Sequence, residues 1–183
     1  TEQNYDQVEP IMDILRANLQ AIGMDISSLE IEFGPSQVEI VFNPALGLRP
    51  ADDMVLFRSA VKQICRRHGY HATFMCRPRL EHVMSSGWHL HQSLLDVQTG
   101  KNAFIATDDE YKSGKPLSQA GMMWLGGLLT HAAVGSVFAT PTINGYKRYS
   151  PLSLASARFT WGEDNRWAFV CAIVAAADPS LRI

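Results

Sequence analysis

His89 and His91 stand two apart in SSGWHLHQSL, residues 85–94. On a strand, residues i and i+2 point to one face, so both imidazoles would look into the same space. Neutral imidazole ligates divalent ions, and its protonated form donates to anionic oxygen. The same pair also suits ordinary half-buried side chains, and the spacing leaves both readings open. A hydrolytic zinc site on the two histidines would need a third ligand, and none stands at a suitable spacing.

Glu32 and Glu39 bracket FGPSQV. A tight turn there can fold two hard carboxylate donors, suited to Mg²⁺ or Mn²⁺, onto one site. Alternatively, both are solvated on the polar face of a hairpin, with Glu30, which shares the parity of Glu32, as the exposed one. Lys147-Arg148, Arg158 and Arg166 lie in a stretch without periodicity. Arginines in loops grip carboxylate or phosphate bidentately; equally, Arg166 can pair with its neighbours Asp164 or Glu163.

These residues need elements to hold them. Val8, Ile11, Leu15, Leu19 and Ile22 recur at helical spacing before Gly23, which predicts a helix over about 5–22. SLEIEF and QVEIVF alternate around Gly34-Pro35-Ser36, a strand–turn–strand pattern. Met54, Phe57, Val61 and Ile64 mark a second helix, capped by Asp52 or Asp53 and ending near His68-Gly69. YHATFMC, GWHLHQSLLDV and WAFVCAIV read as strands, and residues 98–116 as a polar connector. Residues 120–139 hold no Asp, Glu, Lys or Arg. Their length allows a membrane span, but His131, Ser136, four glycines and the lack of a basic flank favour a buried core helix. Hairpins alternating with helices predict an α+β fold with an antiparallel sheet.

The bulk numbers bound the function. At 183 residues, 46% hydrophobic and 19% charged, the chain can bury a core as one domain or most of one. A net charge of −2 provides no basic excess for a nucleic-acid backbone. Cys65, Cys76 and Cys171 lack close spacing and read as reduced thiols of a cytoplasmic protein. The polar, acidic TEQNYDQVEP does not read as a signal peptide.

The order of the motifs adds to this. EFGPSQVEI, HATFMCRP, SSGWHLHQSL, PTINGYKR and WGEDNR follow one another as do the signature blocks of the glutamine synthetase catalytic domain. The usual forms there are E-x-G-P-G-Q-x-E, a-T-F-M-P-K-P, N-G-S-G-M-H-x-H-x-S, P-T-x-N-S-Y-K-R and W-G-x-D-N-R. The resemblance runs from about residue 5 to the end. It implies a funnel of antiparallel strands flanked by helices, two divalent ions (Mg²⁺ or Mn²⁺), ATP, and amide formation from glutamate or a related acid through an acyl phosphate. By position, Glu32 and Glu39 look like ligands of the ion nearer the amine, and His89 like a ligand of the ion bridging the ATP phosphates. His91 and Ser93 fall where nucleotide is contacted. Arg148 falls where the acid's α-carboxylate is gripped, and Arg166 where the transferred phosphoryl group is stabilised. Arg182 matches an arginine preceding a metal-binding glutamate. Gly87 would leave the backbone close to ligand.

Departures are equally informative. Met84-Ser85 replaces Asn-Gly, Pro151-Leu152-Ser153-Leu154 replaces the Pro-Gly-Tyr-Glu flap, and Cys171 replaces an ATP-contacting arginine. These changes resemble branches that ligate organic amines rather than ammonia. The competing reading is a non-catalytic relative with a binding or structural role. Relative to the family, residues 1–183 read as part of a catalytic domain, without the N-terminal β-grasp domain or the C-terminal part, and inactive alone. The family's stacked rings imply a homo-oligomer for the full-length protein.

Overall fold

A computed structural model describes residues 2–149, 155–156, 158–174 and 178–183. It divides into two compact units, Thr1–Ser86 and Gly87–Ile183.

In the first unit, α1 (Glu2–Ala21) buries Ile11, Leu15 and Leu19 of the predicted stripe, together with Met12, whereas Ile22 lies past its end and is exposed. It packs on Phe57, Val61, Ile64 and Cys65 of α2 (Arg49–Arg67). The start of α2 departs from expectation. It begins before Asp52, with Pro50 in its first positions and no side-chain cap, and Asp53 instead pairs with Arg49 at 2.7 Å. Proline is pre-set for a helix start, where its missing N–H costs nothing. Residues 70–75 form no strand; Phe74 meets Phe57 edge-to-face at 5.6 Å and closes this core.

The strands β1 (Ile26–Ile31) and β2 (Val38–Phe42) pair antiparallel. Ile26 and Leu29 are three apart and would ordinarily face opposite ways. A register shift between Ile26 and Ser28 corrects this, so that Ile26 faces Phe42 and Leu29 faces Ile40 on the helix side. The same shift sends Ser28 and Glu30 to the outer face. In the turn, the Gln37 N–H donates to Gly34 O at 3.0 Å and the Glu32 N–H to Gln37 O at 2.9 Å. Ser36 sits at φ 56°, in left-handed conformation. Glycine, the family residue at this place, adopts that φ freely, at some cost in unfolded-chain entropy. Ser36→Gly is expected to raise stability by about 0.5–1 kcal/mol, read as a higher urea midpoint at unchanged slope.

The second unit holds a four-stranded sheet in the order β3 (His91–Gln92), β6 (Ser180–Arg182), β5 (Val170–Ile173), β4 (Trp161–Glu163). The fold is α+β as expected, but the sheet is mixed, since β4 and β5 run parallel. The predicted long strand at 87–97 contributes two residues to the sheet, extended by paired bonds between Leu90 and Ile183 at 3.1 Å. One sheet face buries Val170, Ala172 and Leu181 on Phe104, Leu117 and Leu125. The polar connector contains α3 (Asp108–Lys112), whose start is a reciprocal Thr107–Glu110 capping box.

The apolar stretch 120–139 is not one buried helix. It is α4 (Gln119–Thr130) and α5 (Ala132–Ala139), bent by 76° at His131. Gly121, Leu125 and Ala132 are buried, whereas Met123 is 70% and Phe138 82% exposed. Among the described residues no single helix is long and apolar enough to cross a membrane; the bent pair passes that test together, by length and composition alone. Cys65, Cys76 and Cys171 are free thiols.

Candidate active site

The hairpin of the first unit sorts its side chains by face. Glu30 lies directly opposite Glu39 in the ladder, and Glu32 follows Glu30 at i+2. All three carboxylates therefore project from the face away from the helices. Glu30 is the exposed one and accepts from the Ser28 hydroxyl at 2.7 Å, while Glu32 and Glu39 are half-buried. Like charges directly opposite one another destabilise a strand pair, and a divalent cation would relieve that repulsion. The donor set, all hard oxygen, fits Mg²⁺ or Mn²⁺. Among the described residues, no three His, Cys, Asp or Glu side chains are already gathered as a metal cage.

The sheet of the second unit presents a different chemistry. His91, Arg182, Cys171 and Gly162 are register partners in one row, on the face opposite the apolar core. His89 shares that face by strand parity. A Cβ placed on Gly87 would lie 3.0 Å from Arg148 Nη2 and 3.0 Å from His89 Nε2, so these two groups flank the bare glycine. His89 keeps one side open to solvent. Desolvation of its inner side, and then the positive charges of Arg182, Arg148, His91 and Arg166, push its pKa down to about 4. His91 is lowered by the same two influences, desolvation and then Arg182. Both shifts favour the neutral imidazole, the form that binds a metal ion.

Local structure explains how the arginines arrive. Thr142 caps α6 (Ile143–Tyr146) by accepting from the Gly145 N–H at 3.2 Å, and the Thr140 and Tyr149 hydroxyls bond at 2.9 Å. Gly145, where the family usually has serine, lets the turn close on Thr140; a Cβ would come within 2.8 Å of its methyl. This knot holds Arg148, whose buried Nε has no hydrogen-bond partner among the described residues. An unsatisfied buried donor is costly, about 1–3 kcal/mol, and an anion at this position would satisfy it. Beyond β4, Asp164 turns the chain at φ 45° and Asn165 packs over Gly162 while accepting from the Trp167 N–H at 3.0 Å. That turn carries Arg166, whose carbonyl lies 3.4 Å from Arg182 Nη2.

Among the described residues, no ion pair joins Arg166 to Asp164 or Glu163, although Asp164 influences the neighbouring Cys171 electrostatically. The second unit therefore brings together Gly87, His89, His91, Arg148, Arg166 and Arg182. Ser93, also named by sequence, is exposed one residue past β3 and, among the described residues, bonds to no member of this group. The substituted flap at 151–154 lies outside the described residues. Gln37 and Arg77 were missed by sequence reasoning. Both make side-chain bonds to residues 85–86, and the signal available was their place inside two of the matched motifs.

Residues 1–183, the whole chain, match the model of the glutamine synthetase catalytic domain. The chain belongs to that family. It is 45% identical over 183 residues to the γ-glutamylanilide synthase of Acinetobacter sp, covering 100% of this chain and 36% of that protein. It is 34% identical over 173 residues to a glutamate–isopropylamine ligase of Pseudomonas sp, 94% of this chain and 36% of the relative. A glutamine synthetase of Thermus thermophilus is 38% identical over 152 residues, 83% of this chain and 32% of the relative. The chain thus spans about a third of the length of these glutamine synthetase relatives.

Proposed function

We propose that residues 1–183 are part of the catalytic domain of an ATP-dependent ligase that joins glutamate, or a related acid, to an organic amine. The observation that carries this reading is the gathering of Arg148, Arg166 and Arg182 beside two neutral imidazoles, with a buried Arg148 N–H left for an anion. Two relatives named for amine ligation, one an anilide synthase, support the choice of nucleophile.

In this reading the acid's γ-carboxylate attacks the γ-phosphorus of ATP, and ADP leaves. The amine then attacks the acyl carbon, phosphate departs with the C–O electron pair, and the amine nitrogen loses a proton. Little covalent help is needed for the first step; positioning and charge neutralisation dominate. Arg148 would grip the α-carboxylate, Arg166 the transferred phosphoryl group, and His91, Ser93 and Arg182 the nucleotide. Glu32 and Glu39 would hold one divalent ion and His89 another. Such ions, Mg²⁺ or Mn²⁺, would neutralise phosphate charge and polarise the phosphoryl group under attack. Met84 in place of asparagine and Leu154 in place of glutamate replace polar groups by apolar ones, in keeping with a less polar nucleophile than ammonia. A reducing, cytoplasmic setting and assembly into a homo-oligomer complete the proposal.

The test is ADP release by the full-length protein with glutamate, ATP and Mn²⁺, across ammonia, isopropylamine and aniline. An organic amine is expected to exceed ammonia in kcat/KM by at least about tenfold, the scale on which apolar pockets discriminate. Ammonia outcompeting every amine would overturn the amine assignment. Binding of Mn²⁺ and an ATP analogue without turnover on any amine or related acid would establish the non-catalytic alternative.

A further inference from the structure

Within the first unit, the segment Met84–Ser86 is gripped from two sides. Gln37, in the turn between Glu32 and Glu39, accepts from the Gly34 N–H at 2.9 Å through its amide oxygen. Its amide nitrogen donates to the Ser86 hydroxyl at 2.9 Å and, at 3.4 Å, lies within reach of the Ser85 carbonyl. One side chain thus closes the carboxylate-bearing turn and ties it to a segment nearly fifty residues later. The turn is also in direct contact with that segment, since a Cβ on Gly34 would stand 3.2 Å from the Met84 backbone nitrogen. From the other side, Arg77 Nη1 donates to the Ser85 hydroxyl at 2.9 Å and the Ser86 N–H to Cys76 O at 2.8 Å. Both members of the Arg77–Ser85 pair depart from the family pattern, which has lysine and glycine at these places.

We infer that Gln37 and Arg77 are positioning residues, a two-sided clamp that fixes the Met84–Ser86 segment against the turn bearing Glu32 and Glu39. Each bond has a separate job. The Gln37 amide needs both an acceptor and donors here, so glutamate, of the same shape, keeps the Gly34 bond but turns a donor into a charge facing the Ser85 carbonyl. The Ser85 hydroxyl offers Arg77 a fixed acceptor that glycine cannot, and it limits a segment that in the family pattern contains Asn-Gly. The clamp's bearing on catalysis rests on the ligase reading above; the clamp itself does not.

The experiment uses the full-length protein with Gln37→Met, Gln37→Glu, Arg77→Met, Arg77→Lys, Ser85→Gly and the Arg77→Met/Ser85→Gly double variant. Amide hydrogen exchange reports the clamp, electron paramagnetic resonance reports Mn²⁺ affinity, and the KM for glutamate reports the site. Both Gln37 variants are expected to speed exchange in residues 83–87 and weaken Mn²⁺ binding by about three- to tenfold, with the thermal midpoint nearly unchanged. Arg77→Met and Ser85→Gly should each raise KM by about threefold, and the double variant should be no worse than Arg77→Met. Because Arg77 makes a further contact of its own, this cycle isolates the bond to Ser85. Arg77→Lys should recover part of the loss. Unchanged exchange in the Gln37 variants, additive effects in the cycle, or a fall in thermal midpoint without change in Mn²⁺ affinity would overturn the inference. If the wild-type protein turns over no amine, the ligase reading fails alone, and exchange and Mn²⁺ affinity still decide the clamp.

Discussion

On the ligase reading proposed above, Gly87→Ala is expected to lower kcat/KM of the full-length protein by about 10- to 100-fold while leaving the thermal midpoint within a few degrees of wild type. The backbone of Gly87 is not in the left-handed region, so alanine is compatible with its conformation. The atoms nearest its new methyl would be the ends of side chains, Arg148 Nη2 and His89 Nε2, each 3.0 Å away. A carbon that close forces each neighbour back by a few tenths of an ångström. A guanidinium and an imidazole can swing that far at little cost to folding. A ligase that works by positioning charge cannot absorb the same shift, because displacements on the ångström scale cost about 10²-fold in rate. The split between activity and stability is the measurement that matters. Equal losses in both would mean that glycine serves the fold, and unchanged kinetics would remove His89 and Arg148 from the site.

That glycine also illustrates what could be read in advance. The face shared by His89 and His91 follows from strand parity even though only His91–Gln92 is laddered, because Leu90 and Ile183 extend the pairing. The hairpin followed from alternation and a Gly-Pro-Ser turn; the greater exposure of Glu30 did not, since it shares one face with Glu32 and Glu39. The register shift at Ser27 was not legible, since the extra residue of a bulge shows only against its partner strand. Nor were β4 and β6 visible. Each is three residues long, too short to show periodicity, and each is held by its neighbours in the sheet rather than by its own pattern. The bend at His131 eluded composition for a related reason. A run without charges states that water is disfavoured, not where a helix breaks, and three of the four glycines in 120–139 meet nothing within 4 Å that would demand a straight helix. The arginine cluster was even harder to foresee from spacing. Arg148, Arg166 and Arg182 come from a capped turn, a left-handed turn and a short strand, and only the sheet brings them around the histidines.

Arg148→Lys is expected to behave as a loss, not a conservative change, reducing kcat/KM by about 10²- to 10³-fold, mainly through the KM for the acid substrate. Both side chains carry one positive charge, so the long-range field felt by His89 changes little. What changes is geometry. The arginine presents a planar fork whose Nη2 reaches the open side of Gly87, while its Nε–H is buried without a partner. An α-carboxylate meeting that fork accepts two parallel bonds and satisfies the orphaned donor at the same moment. Lysine offers a point charge on a flexible stem and cannot present two fixed donors. A purely structural role for Arg148 predicts a different pattern. The thermal midpoint would fall, and guanidinium ion added to Arg148→Ala would restore nothing. A binding role predicts a near-native midpoint and partial recovery of acid affinity by added guanidinium, since alanine leaves space for that group beside Gly87. Recovery specific to guanidinium over ammonium would tie the effect to the fork rather than to charge, and its absence would require another group to hold the α-carboxylate.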